Sequence, residues 1–187
     1  MAPEIRIREL MDDHPKDRNA KKAGVMALFY PGTSQSTHLL FIQRNTYPGV
    51  HSGQIGFPGG QREPGDVDML DTALRESCEE VGAVRGNVDV VMPISELYIP
   101  PSNLEVSPFI GLYNKSAPFR RQESEVEALI EIPLTDIMDD GNMSSQFLST
   151  SYADRIEVPV FVFQGHTVWG ATAMMLNEIR ELLKEVL

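Results

Sequence analysis

Apolar residues gather in six short runs, Gly24 to Tyr30, Leu39 to Gln43, Val88 to Met92, Val106 to Leu112, Ala128 to Ile132 and Val158 to Phe163, each bounded by Gly, Pro, Asn or Ser. Their length and their punctuation predict strands of a mixed sheet. Two other stretches repeat at helical spacing: Leu70, Leu74, Cys78 and Val81, and later Met175, Ile179, Leu182 and Val186. Each predicts an amphipathic helix with one buried stripe. The first helix is expected over Val67 to Val81, with its N-cap at Asp66 or Asp68 and a left-handed stop at Gly82. Strands on both sides of a central helix, with a second helix last, predict an α/β fold in which the mixed sheet is sandwiched between helices.

No repeat or linker divides the chain, so its 187 residues read as one domain with a polar N-terminal segment over residues 1–22. That segment mixes acids and bases and lacks the apolar centre of a signal peptide. No run approaches the ~20 apolar residues of a membrane span. The loops at Ser116 to Gln122 and Asp139 to Ser151 are polar enough to be mobile.

Charge narrows the partners. A formal charge of −11 opposes DNA, RNA and anionic lipid, so a phosphate-bearing small molecule needs a local source of positive charge. The single cysteine, Cys78, forms no internal disulfide, and no Cys/His cluster has zinc spacing, which fits a reducing cytoplasm. Homodimer formation is compatible with the sequence.

The chemistry concentrates in GGQREPGDVDMLDTALRESCEEVGA, residues 59–83. Glu76, Glu79 and Glu80 stand at i, i+3 and i+4, on one helix face opposite the Leu70/Leu74/Cys78/Val81 stripe. Like charges at this spacing cost a helix a few tenths of a kcal/mol per pair, a sign that a bound cation reverses. Most Glu-rich helix faces are merely solvated, but hard oxygen donors here would select Mg²⁺ or Mn²⁺ over Zn²⁺. Arg75 can reach Glu79 one turn on and hold it ionised. Gly59-Gly60 permits a close approach of main chain to a ligand.

Gly60, Glu63, Gly65, Arg75, Glu76, Glu79, Glu80 and Gly82 together resemble the Nudix box. Asp66 stands where that pattern has its first Glu, one extra residue separates it from Arg75, and Ser77 and Ala83 fill positions of bulky aliphatics. Arg44-Asn45, His51-Ser52-Gly53-Gln54 and Phe57-Pro58-Gly59-Gly60 resemble the segment leading into the box in coenzyme A diphosphatases. Glu125-Val126, Pro133-Leu134 and the run Val168 to Ala173 are similar to later landmarks of that branch. Pro48-Gly49 departs from it, since many relatives have Leu-Arg there.

The resemblance implies Mg²⁺, replaceable by Mn²⁺, held by Glu76, Glu79, Glu80 and the Gly60 backbone. It implies hydrolysis of the diphosphate of coenzyme A or acyl-coenzyme A to 4′-phosphopantetheine, or its acyl form, and adenosine 3′,5′-bisphosphate. Glu76 and Glu125 are the candidate general bases, Arg75 supports Glu79, and Arg44, His51, Gly59 and Gly60 are expected to contact substrate. ADP-ribose or another nucleoside diphosphate derivative is the rival substrate. A nucleotide-binding regulator without catalysis is the rival class. His14, His38 and His166 read as structural, as do Trp169, Phe161 and Phe163, expected to pack the last helix onto the sheet. Cys78 is expected to be buried and inert.

Overall fold

The computed structural model describes residues 19–32, 36–49, 51–114, 118–148 and 155–186. Residues 1–18 of the polar leader, His14 included, lie outside the described residues. The leader is also shorter than expected, because Lys21 and Lys22 already open the first strand.

The main sheet is built around β1 (Lys21–Pro31). On one edge β1 meets β2 (Thr37–Arg44) and β4 (Gly59–Gln61), both antiparallel. On the other edge it runs parallel to β7 (Leu104–Tyr113), with Lys21 opposite Leu104 and Phe29 opposite Leu112. Beyond β2 lie β3 (Ile55–Gly56) and β8 (Val126–Pro133), and beyond β7 lie β5 (Val88–Pro93) and β6 (Leu97–Ile99), all antiparallel to their neighbours.

A strand covered on both faces reads as a continuous apolar run, and β1 does. Ala23, Val25, Ala27 and Phe29 point into one core, whereas Met26, Leu28 and Tyr30 point into another. On β2, Leu39 and Phe41 join the first core, and Leu40 and Ile42 the second.

The second core is closed by α1 (Met69–Val81). Asp68 caps its N-terminus by accepting the Asp71 N–H at 2.8 Å, so Asp68 rather than Asp66 is the cap. Gly82, at φ 67°, ends it in the left-handed region, and the N–H groups of Gly82 and Ala83 close onto the carbonyls of Cys78 and Ser77. The buried face is rotated from the expected stripe: Thr72, Ala73, Leu74, Ser77, Glu80 and Val81 are buried, and Cys78 is half-buried. The small residues Ala73 and Ser77 face the sheet because Gly24 lies beneath them. A Cβ at Gly24 would stand 3.0 Å from the Ala73 nitrogen.

The first core is covered by α3 (Gly170–Lys184) and by a separate antiparallel sheet of β9 (Met143–Leu148), β10 (Ile156–Phe163) and β11 (His166–Trp169). The run Val158 to Phe163 therefore forms a strand, as expected, but in this second sheet. The expected mobile loop Asp139 to Ser151 is mostly ordered instead. It follows a short helix α2 (Leu134–Met138) with a 3₁₀ turn and then β9, and residues 149–151 lie outside the described residues. Arg180 anchors this layer from within: it is fully buried, lies 5.2 Å over the Phe161 ring and pairs with Asp140 at 2.5 Å. The other expected loop is also pinned over residues 118–122, residues 116–117 being outside the described residues. Phe119 packs on Tyr30 and Tyr113, and Arg120 and Gln122 donate to the carbonyls of Val81 and Glu80.

Among the described residues, no helix is long and apolar enough to cross a membrane.

Candidate active site

The end of β2, the strand β4, the helix α1 and the turn entering β8 converge on one place. Glu80, from α1, is buried at 1% exposure. Its Oε2 accepts the Gly59 N–H at 2.8 Å and its Oε1 lies 3.3 Å from Arg44 Nη1. Arg44 also donates to the Gly59 carbonyl at 2.5 Å, so β2 and β4 clamp the carboxylate from two sides.

Glu76, one turn earlier, has a largely covered side chain 3.0 Å from Arg75. Glu125 is exposed at the start of β8, where its carbonyl accepts the Asn45 N–H. One carboxylate oxygen from each of Glu76, Glu80 and Glu125 lies within 4.8 Å of the others. Glu79 stands outside this trio, exposed and paired with Arg75 at 2.8 Å.

Burial dominates the electrostatics of the trio. Loss of solvent pushes Glu80 up to about 7, against the opposing pull of Arg44 and the Gly59 N–H and with added repulsion from Glu76 and Glu125. Glu76 is also raised, first by burial, while Arg75 opposes the shift. Such a cluster holds protons or a cation in place of its missing solvent.

Arg75 has more partners than its spacing foretold. Besides Glu76 and Glu79 it donates to the buried Asp66 through Nε at 2.9 Å and Nη2 at 3.1 Å, and to the Gln61 carbonyl at 3.1 Å. Asp66 accepts further bonds from the Glu63 N–H and Thr72 Oγ1, both at 2.8 Å. These bonds, Arg75 foremost, hold its carboxyl well below the ordinary range.

Gly60 faces Glu76 so closely that a Cβ would stand 2.5 Å from Glu76 Oε1. Hard carboxylate oxygens, within reach of one another and bordered by backbone without a side chain, fit a divalent cation such as Mg²⁺. Glu76, Glu80 and Glu125 are the group that could hold it.

The trio lies in the wall of a cleft of about 1180 Å³. Arg44, His51, Gly59 and Gly60 line it, as do Tyr47, Tyr98, Pro101 and Met174, to which sequence reasoning gave no role, and His166, which the sequence reads as structural. Trp169 lines it too, half-buried at the start of α3, whereas Phe161 and Phe163 are core residues as expected. Aromatic and apolar residues carry no signal that separates a cleft wall from a core, so only topology could place them. His38, by contrast, is held in its strand by the Ser36 carbonyl at 2.9 Å, in keeping with a structural role.

The NUDIX domain family model matches residues 20–147. The chain belongs to the Nudix family. The uncharacterized Nudix hydrolase NudL of Yersinia enterocolitica is 30% identical over 145 residues, covering 76% of this chain and 72% of that protein. NudL of Yersinia pestis Pestoides F is likewise 30% identical, over 76% and 71%. Among solved structures, the Nudix hydrolase RenU of M. smegmatis aligns with a TM-score of 0.60 at 13% identity, covering 90% of this chain and 88% of that one. The NUDIX domain of Shewanella oneidensis NrtR, complexed with ADP ribose, aligns with a TM-score of 0.59 at 17% identity, covering 94% and 97%. This Nudix hydrolase acts on nucleoside diphosphate derivatives, cleaving at the pyrophosphate bond.

Proposed function

We propose that this Nudix hydrolase cleaves the diphosphate bond of coenzyme A-type compounds with Mg²⁺ or Mn²⁺, giving 4′-phosphopantetheine or its acyl form and an adenosine phosphate. With coenzyme A itself the second product is adenosine 3′,5′-bisphosphate. The observation that carries the hydrolytic reading is the carboxylate trio Glu76, Glu80 and Glu125 in the cleft wall. The coenzyme A reading is supported by the segment from Arg44 to Gly60, whose likeness to that branch extends over one wall of the cleft. Tyr98, Pro101, Trp169 and Met174 also line the cleft and suit an uncharged pantetheine arm.

A divalent cation bound here would neutralise charge developing on the phosphoryl oxygens and acidify a bound water. Glu76 and Glu80 would hold it from the helix with Glu125 across from them, bordered by the Gly60 main chain, while Glu79 is the outer carboxylate, paired with Arg75. Glu125, exposed and without an ion pair among the described residues, accepts the proton of the attacking water; Glu76, tied to Arg75, is the second candidate for that step. Arg75 is a positioning residue, acting through the carboxylates it holds. Arg44 and His51 face substrate from the β2–β3 side. The enzyme works in the cytoplasm on a small molecule.

A second substrate reading, ADP-ribose, is favoured by one residue: Gly49 offers no cation where many relatives of the coenzyme A branch have Arg. Both readings are tested by incubating the protein and Mg²⁺ with coenzyme A, acetyl-coenzyme A, ADP-ribose, NADH and diadenosine polyphosphates and resolving the products by chromatography. Faster release of adenosine phosphates from the coenzyme A compounds supports the first reading. Cleavage of ADP-ribose alone replaces it with the second, and no cleavage with either metal leaves a nucleotide-binding regulator.

A further inference from the structure

We propose that Arg44 is a positioning residue of the metal centre, one that ties the Gly59 main chain to Glu80 and so sets where that carboxylate meets the cation. The proposal rests on the metal-dependent hydrolase reading and adds this role to the place of Arg44 in the cleft wall.

The alternation of β2 explains why an arginine stands here. Leu40 and Ile42 lie on the face of the sheet that α1 covers, and Arg44, two residues further, falls on the same face. The apolar row thus ends in a guanidinium where the helix presents Glu80. The Arg44 side chain, 29% exposed, lies 3.3 Å from Glu80 Oε1 through Nη1 and donates to the Gly59 carbonyl through Nη2 at 2.5 Å. The Gly59 N–H returns to Glu80 Oε2 at 2.8 Å. These bonds close a ring in which both oxygens of the carboxylate and both polar groups of the Gly59 main chain are held.

The Gly59 side of that ring is fixed in turn, because β4 lies against β1 with no space for a side chain. Gly59 has φ 154°, and a Cβ there would collide with the Gly24 carbonyl and stand 2.6 Å from Val25 Cα. Gly60, the next residue, borders Glu76. Arg44 is therefore bonded to one carboxylate of the trio and to the strand that borders the second.

A β-bulge brings in the third. Gln43 lies opposite Ala128 and Arg44 opposite Val126, so the β2–β8 ladder skips Glu127 at this point. Arg121 Nη1 holds the skipped step by donating to the carbonyls of Val126 and Glu127, at 3.2 and 2.5 Å. Beyond it the Asn45 N–H donates to the Glu125 carbonyl at 3.0 Å. In an unbroken register Glu125 would stand opposite Thr46 instead, about 3.3 Å farther along the strand. Bulges re-aim side chains beside active sites, and this one sets Glu125 next to the strand end that carries Arg44.

The test follows Mn²⁺ binding to the substrate-free full chain by electron paramagnetic resonance, which reads the metal centre without turnover. Arg44→Lys keeps the positive charge but loses the planar fork that reaches both Glu80 and Gly59. It is expected to weaken the tightest Mn²⁺ site about tenfold. Glu80→Gln weakens that site as well, and the double variant should bind little worse than Glu80→Gln alone, because Arg44 acts through this carboxylate. Arg44→Gln removes a charge that repels the cation and should still weaken binding. Equally tight or tighter Mn²⁺ binding in folded Arg44→Lys overturns the proposal, and so do losses that multiply independently in the double variant. Should Arg44→Lys not fold, Arg44→Gln decides by the same criterion. Absence of Mn²⁺ binding by the unaltered protein removes the metal reading and the proposal with it, whereas Mn²⁺ binding that is indifferent to Arg44 removes the proposal and leaves the hydrolase reading standing.

Discussion

Gly59 donates its backbone N–H to Glu80 Oε2 at 2.8 Å, and through this bond the strand β4 holds a carboxylate that the helix α1 buries. The bond orients Glu80, but neither it nor Arg44 at 3.3 Å offsets the burial, so a bound cation would favour the charged form.

Glu80→Gln should separate activity from stability. The amide can still accept from Gly59 but no longer supplies a charged ligand, and turnover is expected to fall by roughly 100-fold or more. Metal-free Glu80→Gln should at the same time be more stable than the unaltered protein at pH 8, by on the order of 1–3 kcal/mol. Urea denaturation in EDTA checks this, and a destabilised variant would mean that Glu80 is a structural ion-pair partner of Arg44 and little else.

The same group sets a pH dependence. Its folded value of about 7 lies above the ordinary 4.5, so the folded state binds the extra proton between these two values. Stability of the metal-free protein should therefore decline as pH rises from about 4.5 to about 7, and Mg²⁺ should diminish that decline by favouring the charged form. Asp66 shifts the other way and contributes stability that is lost only in acid below this window. Thermal melts at pH 5 and pH 8, with and without Mg²⁺, measure the effect; a flat metal-free profile would contradict it.

Asp66→Asn tests how Arg75 is positioned. It removes the charged partner of two Arg75 nitrogens while leaving Glu76 and Glu79 in reach. A loss of about 2 kcal/mol in stability is expected, together with a 10- to 100-fold loss of activity. If Asp66 positions the metal-binding carboxylates, the Mg²⁺ concentration for half-maximal activity rises as well. An unchanged metal requirement would confine Asp66 to folding.

Trp169 is the single tryptophan and lines the cleft, so its fluorescence should report occupancy. Saturable quenching by AMP or ADP-ribose in Mg²⁺ is expected. Trp169→Ala should raise KM about two- to tenfold with little change in kcat, as loss of a stacking surface would. Unaltered emission at saturating nucleotide would place the ligand elsewhere.

How much of this was legible in the chain depends on what each residue reports. The central strands and both amphipathic helices follow from runs and periods, because a sheet covered on both faces must show unbroken apolar sequence. The short strands β3, β4, β6 and β11 had too few residues to produce a pattern, and β9 (MSSQFL) reads as loop because it is largely polar and buries no residue fully, its place being set by pairing with β10. On α1 the i, i+3, i+4 spacing located the carboxylates but implied a shared exposed face. The fold instead sends Glu80 inward and leaves Glu79 outside, since Gly24 and the small residues Ala73 and Ser77 draw that side of the helix down onto β1. Glu125 has no sequence periodicity linking it to the helix, and only β8, paired with β2, brings it beside Glu76 and Glu80.

The parallel pairing of β1 with β7 also bears on how the chain comes to be folded. The strand at the centre of the sheet precedes the partner on one of its edges by some 80 residues. Until Leu104–Tyr113 emerges, the nascent VMALFY stretch has β2, β4 and α1 beside it, with one sheet edge open and Val25, Ala27 and Phe29 still without the later elements that cover the first core. Closing so long a loop before its contacts are rewarded slows folding and lengthens exposure to aggregation. Synthesis of this enzyme therefore passes through a window in which its most buried strand is its most vulnerable one.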